Sequence, residues 1–135
     1  MADLDIFHLL VMIDETSRVE GGVMTVLAGA SAIGSPPIIN HSTEEQKQKW
    51  LPGLFDFETS FCLGITEPGG GSDVANIQTT AKTPDGKSYI MNGYKKWITS
   101  ASWATHMTTA ARTGGEGMKG ISVLVIPRVS RGVGY

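Results

Sequence analysis

A single cysteine, Cys62, stands in 135 residues, so the chain has no internal disulfide and no cysteine-based metal cluster. Its apolar neighbours read as the setting of a small buried hydrophobe rather than of a nucleophile. Histidine is nearly as scarce. His8, His41 and His106 lie far apart with no ligand spacing, and no metal site is expected. Positive charge is not in excess: 11 Lys and Arg against 13 Asp and Glu leave a net charge of −2, without the basic stripe that a nucleic-acid partner requires. An anionic ligand is then left to backbone dipoles and local side chains. No apolar run is long enough to span a bilayer; Leu9-Leu10-Val11-Met12-Ile13 passes at once into Asp14-Glu15. The start has neither the basic region nor the small-residue cleavage site of a signal peptide.

What is present changes character near residue 60, within a length suited to about one domain. The first half reads as helical. From Asp3 to about Ser17, Leu4, Ile6, Phe7, Leu9, Leu10, Met12 and Ile13 fall almost all round the helix, the pattern of one that is buried or covered by neighbours. Gly21-Gly22 is read as a break, and a second helix of small residues is expected over Val23 to Ile33, ended by Ser35-Pro36-Pro37. Ser42 and Glu45 predict a capping box for a third helix, with an i,i+4 pair between Glu45 and Lys49. Lys47, Trp50, Leu51 and Leu54 share one of its faces, and Pro52-Gly53 is expected to cut it short.

From Phe61 onward the pattern is that of strands. Ile77 to Thr83, Ser88 to Met91, Tyr94 to Thr99, Thr105 to Thr113 and Ile121 to Pro127 are separated by turn residues. Pro84-Asp85-Gly86-Lys87 is a turn with a reason for each residue, and Asn92-Gly93 is the dipeptide that most strongly predicts a hairpin. Helices first and strands afterwards predict an α+β chain: N-terminal helices followed by an antiparallel sheet or small barrel. The division expected is a helical unit over residues 1–58 and a β unit over 59–135.

The densest chemistry is the run Gly64-Ile65-Thr66-Glu67-Pro68-Gly69-Gly70-Gly71-Ser72-Asp73. A short apolar strand, Phe61 to Ile65, delivers the chain to a proline. Three glycines then let the main chain take positive φ and lie close against something. With the hydroxyls of Thr66 and Ser72, such a loop is able to cradle a phosphate or the polar edge of a planar cofactor; a glycine-rich surface turn is the other reading. Glu67 reads as a cap for neighbouring backbone amides or as a general base, and Asp73 as an N-cap or turn anchor. Two other motifs fail on context. Gly115-Glu116-Gly117-Met118-Lys119-Gly120 has the spacing of a dinucleotide fingerprint, but an apolar strand follows where a helix is needed. Gly29 to Gly34 has the glycines of a P-loop without its Lys and Ser/Thr. Ser72 has no G-x-S-x-G surroundings.

The glycine run closely resembles the first signature of the acyl-CoA dehydrogenases. Glu44 to Leu51 is similar to the family's helix leading into its middle domain, Asn92-Gly93-Tyr94-Lys95-Lys96-Trp97-Ile98-Thr99 to its segment ending in Trp-Ile-Thr, and Ile121 to Pro127 to a following strand. The resemblance implies an FAD enzyme that desaturates acyl-CoA thioesters between the α and β carbons. It implies a chain covering the end of the N-terminal helical domain and most of the middle β-domain, truncated at both ends, from a family that is homo-oligomeric at full length. Carried over residue by residue, Leu63, Gly64, Ile65, Thr66, Gly71 and Ser72 lie along the cofactor. Thr66 faces the flavin ring edge, and Ser72 contacts a flavin phosphate and the acyl-CoA. Trp97, Ile98 and Thr99 cover a flavin face, with core packing as the other reading of Trp97. The family's catalytic glutamate is implied to lie beyond Tyr135, so no catalytic residue is assigned and the isolated chain is expected to be incomplete for catalysis. A flavin-dependent oxidase or monooxygenase of the same fold, and a non-catalytic binding module, are the alternatives.

Overall fold

Capping and proline placement set the helical half, as the computed structural model shows; it describes residues 5–19, 21–24 and 30–134. Helix α1 (Ile6–Ser17) starts where the Asp5 carboxylate accepts from the Phe7 and His8 amides at 3.0 and 3.3 Å. Among the described residues nothing buries it. Ile6, Phe7, Leu9, Leu10, Val11, Met12 and Ile13 all remain exposed, against the expectation of a helix covered by its neighbours. Short helices α2 (Gly21–Met24) and α3 (Ala30–Gly34) follow. Gly21-Gly22 therefore opens a helical turn instead of breaking one. Asp3, Leu4 and residues 25–29 of the expected second helix lie outside the described residues.

Ser35-Pro36-Pro37 follows the last residue of α3, where the helix of small residues was expected to end. It ends α3 and starts α4 (Pro36–His41), because proline at a first helical turn gives up an N–H that has no partner there. Helix α5 (Glu44–Phe55) is capped one residue later than expected: Thr43 and Gln46 form the box, not Ser42 and Glu45. Its ion pair is Lys47 with Glu44 at 2.8 Å, in place of Glu45 with Lys49. Pro52 lies within it; one further turn continues, closed by the Asp56 amide on the Pro52 carbonyl at 3.0 Å. Lys47, Trp50, Leu51 and Leu54 do share a half-buried face.

The sheet is mixed rather than antiparallel. Strand β4 (His106–Arg112) is its centre, with β1 (Phe61–Gly64) parallel on one side and β5 (Ile121–Pro127) antiparallel on the other. Strand β2 (Thr80–Lys82) meets β4 in parallel at Thr80 and Arg112, and β3 (Ile90–Asn92) pairs antiparallel with β2. A parallel pair needs a long crossover, and the residues between Gly64 and His106 supply it. The consecutive buried positions Thr108, Thr109, Ala110 and Ala111 reflect a strand covered on both faces.

The hairpin of this region is β2–β3, not one at Asn92-Gly93. Asp85 accepts from the Lys87 and Ser88 amides at 2.9 Å each and closes the Pro84 to Lys87 turn. Gly93 instead sits at φ 157°, where an added Cβ would come within 2.3 Å of Thr79 Oγ1, and residues 94–99 run on without a strand. The loop Gly114 to Gly120 joins β4 to β5, which confirms that its fingerprint spacing belongs to a hairpin. Arg112 spreads its guanidinium over the carbonyls of Ala75, Ile77, Gly115 and Gly117. That fork clamps the β4–β5 loop to the segment leaving the glycine run.

Helices and sheet meet at the α3–α4 corner. The Thr108 hydroxyl donates to the Gly34 carbonyl at 2.7 Å, and a Cβ on Gly34 would lie 2.5 Å from the Phe61 carbonyl oxygen. Main chain cannot yield there as a flexible side chain would. Gly34→Ala is therefore expected to destabilise the chain by about 2 kcal/mol through overpacking. Urea unfolding checks it; an unchanged midpoint would show that this corner is not close-packed.

Candidate functional site

At the end of β1 the chain closes a tight turn, Glu67-Pro68-Gly69-Gly70. Its ends exchange backbone bonds, Glu67 N–H to Gly70 O at 3.0 Å and Gly70 N–H to Glu67 O at 3.1 Å. The three glycines do not take the expected positive φ: none of Gly69, Gly70 and Gly71 lies in the left-handed region. Cβ atoms at Gly69 and Gly70 would meet nothing within 4 Å, and one at Gly71 would only touch Thr66 Cγ2 at 3.8 Å. Neither backbone strain nor the chain's own packing requires glycine here. What the glycines provide is a main chain bare of side chains on its exposed side.

Glu67 turns the other way, into the protein. Its carboxylate accepts from the Gln78 amide at 2.6 Å, the Thr79 amide at 2.9 Å and the Lys95 ammonium at 2.8 Å. The two side chains are 7% and 9% exposed, so this is a buried ion pair. Burial pushes the carboxyl pKa up, but the Lys95 ammonium and the two amides outweigh it and hold the group at about 2. The amide-capping reading of Glu67 is the one the geometry bears out. A carboxylate held so low is a poor proton acceptor. Asp73 makes no side-chain cap, and anchors its turn by accepting from the Asn76 side-chain amide at 2.7 Å.

Lys95 also reaches the Ile65 carbonyl at 3.0 Å, and the next amide, that of Lys96, donates to the Thr66 carbonyl at 2.9 Å. The end of β1 and the segment 94–99 are thereby tied side by side. Trp97 then leaves the surface at φ 59° with 81% of its area exposed, so it is not a core residue. Lys96 Nζ stands 4.6 Å from the centre of its ring. A bulky residue in the left-handed region carries strain of about 1–2 kcal/mol, and Ser100 at φ 66° repeats it three residues on. Such strain persists where the surroundings over-determine the backbone.

Of the predicted residues, Ile65 and Thr66 are tied to the segment that leads into Trp97, Ile98 and Thr99. Leu63 is half-buried beside Thr108 in register; Gly64 is buried where a Cβ would strike Met107 Sδ at 2.6 Å. Ile65, Thr66 and Ile98 are half-buried, whereas Gly71, Ser72 and Thr99 are exposed. Only Trp97 and Ile98 of this set also border the open cleft of about 1710 Å³ between the sheet and the helices, whose wall includes Ile38, Trp50 and Val125. Lys95 and Arg112 escaped notice in the sequence. A buried glutamate demands a cation, and Lys95 in the second motif was the available signal. No cluster of three metal-ligating residues and no helix long and apolar enough to cross a membrane occurs among the described residues.

The groups present are of the kind that a planar cofactor with a polar edge requires. The exposed indole offers a flat face, and the bare glycine backbone, Thr66 and Ser72 offer polar groups. Comparison with known proteins bears on which cofactor. Residues 62–135 match the model of the acyl-CoA dehydrogenase middle domain, and residues 1–58 that of the N-terminal domain. The acyl-CoA dehydrogenase AFT10-1 of Alternaria alternata is 46% identical over 96% of this chain, which covers 30% of that protein. The crystal structure of an acyl-CoA dehydrogenase from Geobacillus kaustophilus superposes with a TM-score of 0.83 at 37% identity, over 97% of this chain and 35% of its own. A glutaryl-CoA dehydrogenase from Mycobacterium smegmatis, solved in complex with FADH2, gives a TM-score of 0.62 at 38% identity, over 70% of this chain and 23% of its own. The chain spans about a third of the length of the relatives it matches.

The ion pair sets an acid dependence. A carboxyl with a lowered folded-state pKa stabilises the fold fully above its ordinary value of 4.5, and that contribution is lost as pH falls towards about 2. Glu67→Gln strands a buried ammonium and is expected to cost about 3 kcal/mol near pH 7. The gap from wild type should stay flat above pH 5 and close between pH 4.5 and 2. Unfolding curves of both proteins across that range check it; a gap independent of pH would contradict the assignment.

Proposed function

Because the chain belongs to the acyl-CoA dehydrogenase family, we propose that it supplies the FAD-facing wall of an oxidoreductase that desaturates acyl-CoA thioesters between the α and β carbons. The helical unit runs to residue 58 and the cofactor-facing unit from residue 59. Leu63, Gly64, Ile65, Thr66, Gly71 and Ser72 line the cofactor from the β1 side, Trp97, Ile98 and Thr99 from the other, and Ser72 also meets the acyl-CoA. FAD, when bound, takes up the hydride that leaves the substrate's β carbon.

The observation that carries this reading is the bonded contact between the two motifs, Lys96 N–H on the Thr66 carbonyl at 2.9 Å. Residues about thirty positions apart in sequence, each in a segment resembling a flavin-contacting motif, are hydrogen-bonded to one another. The neighbour solved with FADH2 adds support from outside the chain. Each group has a plain task. Thr66 and Ser72 offer hydroxyls to ring-edge and phosphate oxygens, and the bare glycine backbone lets an anionic group approach its amides. Trp97 offers a flat apolar face that excludes water from one side of the ring. Glu67 is assigned no proton transfer: its lone pairs are committed to Lys95, Gln78 and Thr79.

Titration with FAD tests this. Binding is expected to quench flavin fluorescence and to raise the melting temperature, with about 2.7 kcal/mol of added stability when free FAD reaches a hundredfold excess over Kd. Trp97→Ala is expected to raise Kd about tenfold while leaving the melting temperature of the free chain nearly unchanged, since the ring is exposed. Unquenched flavin and a constant melting temperature at millimolar FAD would refute the assignment.

A further inference from the structure

We propose that the buried Glu67–Lys95 ion pair positions the cofactor wall, with Lys95 as the positioning residue that holds the segment bearing Trp97, Ile98 and Thr99 in register with Ile65 and Thr66. This rests on the FAD-facing reading of those residues, and it adds to it a device that touches no cofactor itself.

Four observations carry it. Glu67 and Lys95 both lie outside β1–β5, so the pair contributes nothing to the strand ladder. The segment 94–99, where a hairpin strand is absent, is instead joined to 65–67 by Lys95 Nζ on Ile65 O at 3.0 Å, Lys95 Nζ on Glu67 Oε1 at 2.8 Å and Lys96 N–H on Thr66 O at 2.9 Å. Glu67 is itself anchored from a third segment by the Gln78 and Thr79 amides at 2.6 and 2.9 Å. One carboxylate therefore references both halves of the wall to the entrance of β2. The strained, exposed Trp97 comes two residues after Lys95, where a left-handed backbone persists only if what precedes it is held.

Stability alone is a poor reason for such a pair. Desolvating two charges offsets most of their attraction, and an apolar or neutral pair of similar size often serves the fold as well. What a neutral pair does not reproduce is the geometry. A methionine side chain at position 95 has no ammonium to place on the Ile65 carbonyl, so the Trp97 segment keeps only the Lys96 N–H to Thr66 carbonyl bond and is loosened from the end of β1 while the sheet remains.

The test compares wild type with the double variant Glu67→Gln/Lys95→Met, which strands no charge. Three readouts are taken: urea unfolding, hydrogen exchange of the Lys96 amide in the free chain, and FAD binding with the absorption spectrum of the bound flavin. The double variant is expected to stay folded with a lowered urea midpoint, since a carboxamide has one acceptor oxygen where the Gln78 and Thr79 amides now use two. Its Lys96 amide is expected to exchange at least tenfold faster, its FAD Kd to rise at least tenfold, and the fine structure of the bound-flavin band to be lost. A folded double variant whose Lys96 exchange and FAD Kd stay within twofold of wild type would overturn the proposal. Should the double variant not fold, wild type decides: a Lys96 amide that exchanges as fast as an unstructured one refutes the tether, and a protected one supports it. Wild type that fails to bind FAD at all refutes the function proposed above, and the exchange comparison still judges the tether by itself.

Discussion

A carboxylate removed from water must be met by donors, and the way Glu67 meets that demand organises the β half of the chain. Its partners come from two stretches that are remote in sequence, the amides of Gln78 and Thr79 and the ammonium of Lys95. The turn at Pro68, the entrance to β2 and the segment before Trp97 are therefore placed relative to one another by a single group. The low dielectric of the site makes each of these bonds strong and makes the loss of any one costly. Its low pKa is the titration signature of the same arrangement.

Around this junction the chain uses side-chain donors where strand ladders stop. Arg112, at the end of β4, spends its guanidinium on four carbonyls of two loops. Thr108 reaches across to the Gly34 carbonyl and joins the helices to the sheet. With Lys95, these residues account for how irregular segments rich in glycine hold definite positions without regular structure. Ser72, Trp97 and Thr99 are among the exposed groups that these segments carry.

Much of this was legible from short-range chemistry. The strands at 61–64, 106–112 and 121–127, the Asp85 turn and the loop at Gly114 to Gly120 follow from alternation and turn residues that act over a few positions. The glycine run and the Trp-Ile-Thr segment were legible as a pair by resemblance. Misreadings arose where a local preference was outvoted. Asn92-Gly93 has the composition of a hairpin turn, but Thr79 lies against Gly93 and Lys95 is drawn to Glu67, so the chain passes on as a loop. Pro52-Gly53 has the look of a terminator, yet α5 runs on through it to Phe55. The glycines suggested left-handed turns and proved instead to leave open space.

The sequence by itself determined which half is helical and which extended, the Asp85 turn and the Gly114 to Gly120 loop, and the family to which the motifs belong, because those depend on neighbours within a few residues. Only the tertiary structure decided that β1 and β4 run parallel, that Glu67 is buried and Trp97 exposed, and that Lys95 is the tie between the two motifs. The reason is physical. Pairing and burial are properties of residues that meet in space, and Lys95 meets Glu67 across 28 positions of chain that no local rule connects.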